Sequence, residues 1–174
     1  MKSITKVIIL LTSLLISTNS FAEQKIVILD LSYVLNNSKA GKGAQDFLKK
    51  SYNDNAKKYK DMENSLKELE KDLLTKKTVL SKDEYEKKTN ELRKKVLDFQ
   101  SQRRSSLDKI ATQRAESKDI LLKKIDPLLN NYIKENNISL VVEKKGTLGG
   151  SPEIDITKII VSQLDKELPS LNLK

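Results

Sequence analysis

Sparse apolar residues recur along the middle of the chain at alternating spacings of three and four positions. That spacing places one narrow apolar stripe on each of two long helices, as in a coiled coil, whereas a globular helix carries a broader stripe. Residues 44–125 are therefore predicted to form a long helical arm. The residues of its predicted arm seam are Tyr52, Tyr59, Met62, Leu66, Leu69, Leu92, Val96, Phe99 and Ile110.

Two local signals predict where the helices of the arm begin and end. Gly41 and Gly43 interrupt the helical pattern, so the first helix is predicted over residues 44–79. Ser81 and Glu84 have the spacing of a capping box, in which each side chain accepts a hydrogen bond from the other residue's backbone amide. The chain is thus predicted to reverse just before Ser81 and to continue as a second, antiparallel helix.

The reversal implies a register between the two helices. Facing positions should have residue numbers that add up to about 161, because the helices run in opposite directions from one turn. Leu66 then faces Val96, and Tyr59 faces Arg103, a position from which a guanidinium can lie on the tyrosine ring. The apolar stripes of the two helices coincide at this register, which supports a hairpin.

Short apolar runs rich in β-branched residues flank the arm and predict strands at residues 25–31 and Ile138–Glu143. A weak third strand is predicted at residues 147–148. The sequence also predicts a closing amphipathic helix over residues 158–168, capped by side chains of residues 155–157. Its inner face is predicted to carry Ile159, Ile160 and Leu164. The fold class is therefore α+β and mostly α, a long antiparallel helical hairpin on a small β-strand base.

The pair Asp126 and Pro127 allows two interpretations. Either Asp126 caps a new helix with Pro127 at its first position, or the proline kinks a helix that continues. In both cases the helical pattern resumes and ends at Asn136 and Asn137.

The N-terminus has the features of a secretory signal peptide. A basic start is followed by an apolar run at residues 7–16, and Ser20 and Ala22 supply the small residues that signal peptidase reads. An uncleaved membrane anchor is the alternative, but this run is about half the length that a membrane span needs. Residues 1–22 are therefore predicted to be removed after Ala22 on export.

The amino-acid composition makes several classes of function improbable for this protein. The sequence contains no cysteine and no histidine, which removes disulfides, the commonest metal ligand and the usual proton shuttle at neutral pH. No cofactor and no enzymatic activity are predicted, since no nucleophile has a recognisable base beside it. Without Lys2 and Lys6 the chain keeps 31 basic and 24 acidic residues, a net charge of +7. Export and the scarcity of aromatic residues disfavour nucleic acid as a physiological partner.

The order of the predicted parts resembles the Skp/OmpH family of periplasmic chaperones. The resemblance covers the whole mature chain and rests most specifically on residues 25–30, Ile138–Glu143 and residues 151–157. It implies a homotrimer whose strands form a small central β-barrel, with three arms around a cavity. In that cavity, unfolded outer-membrane proteins would be held without ATP. The expected trimer core residues are Ile26, Ile28, Leu140 and Val142.

The domain organisation follows from these parts: a signal peptide at residues 1–22, an arm at residues 44–125, and a discontinuous trimerisation body at residues 23–43 and 126–174. A basic stretch of the arm, where the seam thins, is either a solvated helix face or a surface for acidic clients. The candidate client-binding residues are Arg103, Arg104, Lys109 and Arg114.

Two other functions fit the same sequence. One is an envelope adaptor, in which the hairpin docks a membrane complex. The other is binding of lipopolysaccharide or another anionic membrane surface, which the basic helices favour. The family resemblance implies a basic lipopolysaccharide site near the root of the arm, but no residue of this chain is assigned to it.

Overall fold

The computed structural model describes residues 24–173, and the predicted signal peptide lies outside them. The described part is mostly helical, with one small pair of strands, which confirms the predicted fold class. Two 3-10 turns, Lys144–Gly146 and Pro152–Ile154, separate the second strand from the last helix. In chain order the elements are β1 (Lys25–Leu29), α1 (Leu31–Asn37), α2 (Lys39–Thr75), α3 (Lys82–Glu135), β2 (Ile138–Glu143) and α4 (Thr157–Glu167).

Helices α2 and α3 form the predicted antiparallel arm. The capping box at its tip is confirmed: the Glu84 amide donates to Ser81 Oγ at 3.3 Å, and the Ser81 amide donates to Glu84 Oε2 at 3.1 Å. These bonds satisfy amides that the first turn of a helix leaves without an internal partner. With 37 residues, α2 is about 55 Å long.

The start of α2 differs from the prediction, because Gly41 and Gly43 lie inside the helix. Ser38 caps this helix, and its Oγ accepts a hydrogen bond from the Gly41 amide at 3.2 Å. A second cap comes from another element, since the Lys39 amide donates to Asp165 Oδ1 at 2.6 Å. These two caps, of which only Ser38 is local in sequence, offset the low helix propensity of the glycines.

The predicted register of the hairpin is confirmed near its middle. The Tyr59 hydroxyl donates to the backbone oxygen of Gln102 at 2.9 Å, and these residue numbers add up to 161. The Tyr59 ring also packs edge-to-face on Phe99, with the ring centroids 6.1 Å apart. This pairing fixes which faces of α2 and α3 meet.

The arm seam is only partly buried. Tyr59 and Ile110 are buried, whereas Met62, Leu66, Leu92, Val96 and Phe99 are half-buried. Tyr52 and Leu69 are 54% and 43% exposed, although each lines a cavity together with residues of α3. Two helices alone cover one side of each seam position and leave large side chains at the edge open to solvent.

Helix α3 runs without interruption through Pro127, which settles the interpretation that the sequence left open. The helix ends as predicted, with Asn136 as its C-cap and Asn137 in a left-handed conformation at φ 51°. Its last third packs into the body through Leu121, Ile125 and Leu128. Leu121 and Ile125, which fall in the predicted arm, thus also contribute to the body core.

The body is built on β1 and β2, which pair in parallel with Ile26 opposite Leu140 and Ile28 opposite Val142. The alternate residues Val27 and Leu29 point into the core. They pack there with Val34, Ala40, Leu121, Ile125, Leu128, Ile138, Ile156, Ile160 and Leu164.

Two details of the body contradict the sequence-based predictions. Residues 147–148 form no strand, and Leu148 is fully exposed. Instead, β1 makes a single bridge from Ile28 to Asp155. Ile159 is 41% exposed, because the inner face of α4 is completed by Ile156, Ile160 and Leu164.

Residues 155–157 connect the body elements. The Asp155 carboxylate accepts hydrogen bonds from the Thr157 amide at 2.9 Å and from Lys144 Nζ at 2.6 Å. Burial by itself raises the pKa of Asp155, but the hydrogen bonds from Lys144 and Thr157 outweigh it and lower the pKa to about 2. Thr157 Oγ1 in turn accepts from the Asp30 amide, which joins α4 to the end of β1. This segment therefore has a structural role.

Candidate functional site

The outer face of the sheet carries the four predicted trimer core residues. Ile26 and Leu140 are about half exposed, and Val142 is half-buried. Ile28 is buried in the single chain, next to its bridge with Asp155. Among the described residues β2 pairs only with β1, so its other edge has free backbone donors and acceptors. An apolar face and an open edge together are suited to contact with another chain.

The four candidate client-binding cations all lie on α3 and are exposed, but the structure does not bring them together. At 100° per residue, Arg103 and Arg114 project within about 20° of each other. Arg104 and Lys109 are turned away from that direction by roughly 100° or more. Arg103 and Arg114 each line a cavity beside α2, and Arg104 and Lys109 line neither cavity.

The larger cavity lies at the root of the arm, between α1, α2 and α3, and has a volume of about 800 Å³. Its apolar wall includes Leu35, Leu48 and Leu121, and Tyr52 lies at its edge toward the arm. Arg114, Lys118, Lys49 and Asp46 supply its charged groups. An apolar wall with a net positive rim favours a ligand that is both apolar and anionic.

A smaller cavity of about 180 Å³ lies near the middle of the arm, where Ala56 and Asn55 leave space opposite α3. Tyr52, Leu107 and Arg103 line it. Leu107 is about half exposed, so this cavity also offers apolar surface beside a cation.

Glu63 is the carboxylate of this smaller cavity, and it is already neutralised within α2. Lys67 Nζ lies 2.6 Å and Lys60 Nζ 3.6 Å from its carboxylate oxygens. The hydrogen bond from Lys67, with the charge of Lys60, lowers the pKa of Glu63 and keeps it ionised. The described ion pairs do not include Arg103, Arg104, Lys109 or Arg114. Arg103 therefore provides the uncompensated charge of the smaller cavity.

The expected contact of Arg103 with the Tyr59 ring is wrong. The cation over that ring is Lys58, whose Nζ lies 5.4 Å from the ring centroid. Phe99 occupies the edge of the ring, and the tyrosine hydroxyl bonds to Gln102, so the ring is held close to α3. Arg103 is left free to face solvent and the smaller cavity.

Residues 24–173 contain no group of three or more carboxylates that could hold a metal ion. Within the same residues, no helix is long and apolar enough to cross a membrane. The arrangement of unpaired cations, half-exposed apolar side chains and open grooves is that of a binding surface.

The family of this chain follows from its sequence. The family described as outer membrane protein (OmpH-like) matches residues 25–164, from the first strand to the last helix. The chain belongs to this OmpH-like family. The resemblance to the Skp/OmpH family is thereby confirmed.

Individual relatives agree with this assignment. A Skp-like protein of Pseudomonas aeruginosa is 25% identical over 169 residues, which cover 95% of this chain and 99% of that protein. An OmpH-like outer membrane chaperone from Caulobacter crescentus CB15, known from a crystal structure, has the same fold with a TM-score of 0.79 at 17% identity. That match covers 87% of this chain and 89% of the Caulobacter chain.

Several residues of the grooves in this OmpH-like chain are not identified by sequence reasoning. Lys118, Lys49 and Leu48 share the root cavity with Arg114, and Leu107 shares the smaller cavity with Arg103. A helical wheel of α3 would place Leu107, Arg114 and Lys118 on the side of Arg103, which is the signal that was missed. No comparable sequence pattern predicts that α1 also lines the larger cavity at the root of the arm.

Proposed function

We propose that this protein is an ATP-independent holdase chaperone of the bacterial periplasm. It is a homotrimer that holds unfolded outer-membrane proteins in a cavity between its helical arms and prevents their aggregation. The observation that carries the proposal is membership of the OmpH-like family over residues 25–164. The names of the two relatives, a Skp-like protein and an outer membrane chaperone, support the same role.

Trimer formation is supported by the body. A parallel pair of strands with one open edge is unstable as an isolated sheet. Ile26 and Leu140 present apolar area on the outer face of this pair. Contact between copies would bury that area and pair the open edge of β2. In this proposal residues 23–43 and 126–174 form the trimerisation body, and the arm extends from it.

Client capture is supported by the surface of the arm. Arg103 and Arg114 are exposed, take part in no described ion pair, and lie beside half-exposed apolar side chains. Exposed positive charge accelerates encounter with acidic chains, and scattered apolar contacts then hold them weakly. Such a surface favours reversible binding of many different clients.

This function requires that the protein is exported to the periplasm. The predicted signal peptide at residues 1–22 supports it, with cleavage after Ala22. The mature protein would then start at Glu23. N-terminal sequencing of the periplasmic fraction should return Glu23 first.

A dilution experiment tests the proposal. An outer-membrane barrel protein is unfolded in urea and diluted with and without the mature protein, while light scattering is followed. The proposal predicts that scattering is suppressed without added ATP. An envelope adaptor would instead bind one folded partner and leave the aggregation of unfolded barrels unchanged.

A further inference from the structure

The two cavities beside the arm share Tyr52, so they follow one another along the same side of the hairpin. We call this surface the arm track and define it by Leu48, Tyr52, Arg103, Leu107, Arg114 and Lys118. We propose that the arm track binds a single extended segment of an unfolded barrel protein, in which apolar and acidic side chains alternate. This inference rests on the proposed chaperone function and specifies where on the arm the client lies.

The two edges of the arm track differ in chemistry. On the α2 edge Tyr52 is exposed, Leu48 lines the cavity wall but is itself buried, and the nearby Asp46 and Lys49 carry opposite charges. The α3 edge presents the half-exposed Leu107 and the cations Arg103, Arg114 and Lys118, and no described ion pair involves these cations. The α3 edge therefore carries excess positive charge and the α2 edge does not. A ligand that lies between them is best matched by carboxylates toward α3 and by apolar side chains toward Tyr52.

An extended strand has this arrangement, because its successive side chains point to opposite sides. Strands of membrane barrels alternate apolar and polar residues along about ten positions. From Arg103 to Leu121, the α3 edge is about 27 Å long, which accommodates roughly eight residues of extended chain. Arg114 and Lys118 are about 6 Å apart along the axis, close to the spacing of two same-side residues on a strand.

Cross-linking tests the location, and the lack of cysteine in this chain makes single sites specific. Leu107→Cys lies in the arm track, and Leu97→Cys is a matched control on the same helix, also exposed but lining neither cavity. Each full-length mature variant carries a benzophenone on its cysteine and is mixed with a urea-diluted barrel protein. We expect the yield of cross-linked client to be at least threefold higher at position 107.

The outcomes of this experiment separate the two proposals. Equal yields at positions 107 and 97, with aggregation still suppressed, would overturn the arm track and leave the chaperone function standing. If wild-type protein does not suppress aggregation at all, the proposed function itself fails.

Charge variants test the acidic partner. The track variant changes Arg103, Arg114 and Lys118 to Gln, and the control variant changes Arg104, Lys109 and Lys124 to Gln, so that both lose the same charge. The probe is a labelled ten-residue peptide in which Leu and Glu alternate, and its Kd is measured by fluorescence anisotropy at low salt. We expect the Kd to rise about tenfold for the track variant and less than twofold for the control.

A second peptide and a lipid complete the test. Replacing Glu by Gln in the peptide should remove the difference between the track variant and wild type. If the track variant binds the acidic peptide as wild type does and loses only binding of lipopolysaccharide, the surface is a lipid site and the proposal is wrong.

Discussion

Ile26 and Leu140 are register partners across the β1–β2 pair, and they stay 44% and 54% exposed on its outer face. The residues that alternate with them, Val27 and Val141, belong to or pack against the body core. The sheet is therefore apolar on both faces, whereas the outer face of a solvated sheet is normally polar. The excess apolar area on one side is the feature that assembly with other copies would explain.

If the proposed trimer forms through this face, replacing Leu140 by Glu should leave the protein monomeric at micromolar concentration. Burial of one leucine side chain stabilises an interface by roughly 2 kcal/mol. The variant loses this contribution and also has to bury a carboxylate without a partner, which is unfavourable. Analytical ultracentrifugation measures the result, with Leu148→Glu as control, since Leu148 is fully exposed and outside the sheet. Trimers that persist in Leu140→Glu would rule out this face as the interface.

Two glycines of α2 should respond in opposite directions to alanine. A Cβ at Gly41 would overlap the carbonyl oxygen of Leu35 and approach its carbonyl carbon to 2.9 Å, whereas a Cβ at Gly43 would meet nothing within 4 Å. We expect Gly41→Ala to lower the free energy of unfolding by about 2 kcal/mol or more. Gly43→Ala should raise it by about 0.5–1 kcal/mol through helix propensity. Urea denaturation measures both, and a Gly41→Ala variant as stable as wild type would contradict the close α1–α2 contact.

Cysteine pairs test the register of the arm. Leu66→Cys and Val96→Cys occupy facing positions and should form a disulfide within one chain under mild oxidation. Leu66→Cys with Ile110→Cys should not, because Ile110 lies about 20 Å along the axis from the position that faces Leu66. Mass spectrometry of peptides under non-reducing conditions distinguishes the two pairs. The reverse result would place the hairpin turn elsewhere than at Ser81.

Asp155 should stabilise the body in a pH-dependent way. Its pKa is lowered to about 2 from an ordinary value of 3.8, so its contribution is present above pH 4 and lost as the pH falls through about 2. Asp155→Ala should therefore reduce the free energy of unfolding by roughly 1–2 kcal/mol at pH 7. At pH 2 the difference from wild type should shrink. Denaturation at both pH values measures it, with the exposed Asp54→Ala as control, and a pH-independent difference would exclude the carboxylate as the cause.

Sequence patterns correctly predicted those parts of the fold that are determined by residues close together in the chain. The Ser81 capping box, the second strand and the α2–α3 register follow from side-chain spacing along the chain. The early start of α2 has one local signal, the N-cap Ser38, whereas its second cap, Asp165, lies 126 residues away and Gly41 is required by contact with α1. The third strand predicted at residues 147–148 is absent, and the residue that bridges β1 at Ile28 is Asp155.

The candidate site was predicted less well than the fold. The sequence identified a basic stretch, but a run of cations does not indicate which of them share a helix face with a groove in α2. Arg103 and Arg114 line cavities whose other walls are formed by residues about 40 to 80 positions away. Arg104 and Lys109 face elsewhere. Small residues such as Ala56 also line these grooves, and they carry no functional signal by themselves.

The mass of the complex with an unfolded barrel protein tests the central claim most directly. Urea-unfolded barrel protein is diluted into the mature chain, and the soluble product is analysed by size-exclusion chromatography with multi-angle light scattering. The account predicts one soluble species with the mass of three copies of this chain and one client, formed without ATP. Precipitation of the client while this protein elutes alone would contradict the account, as would a stable complex with one monomer.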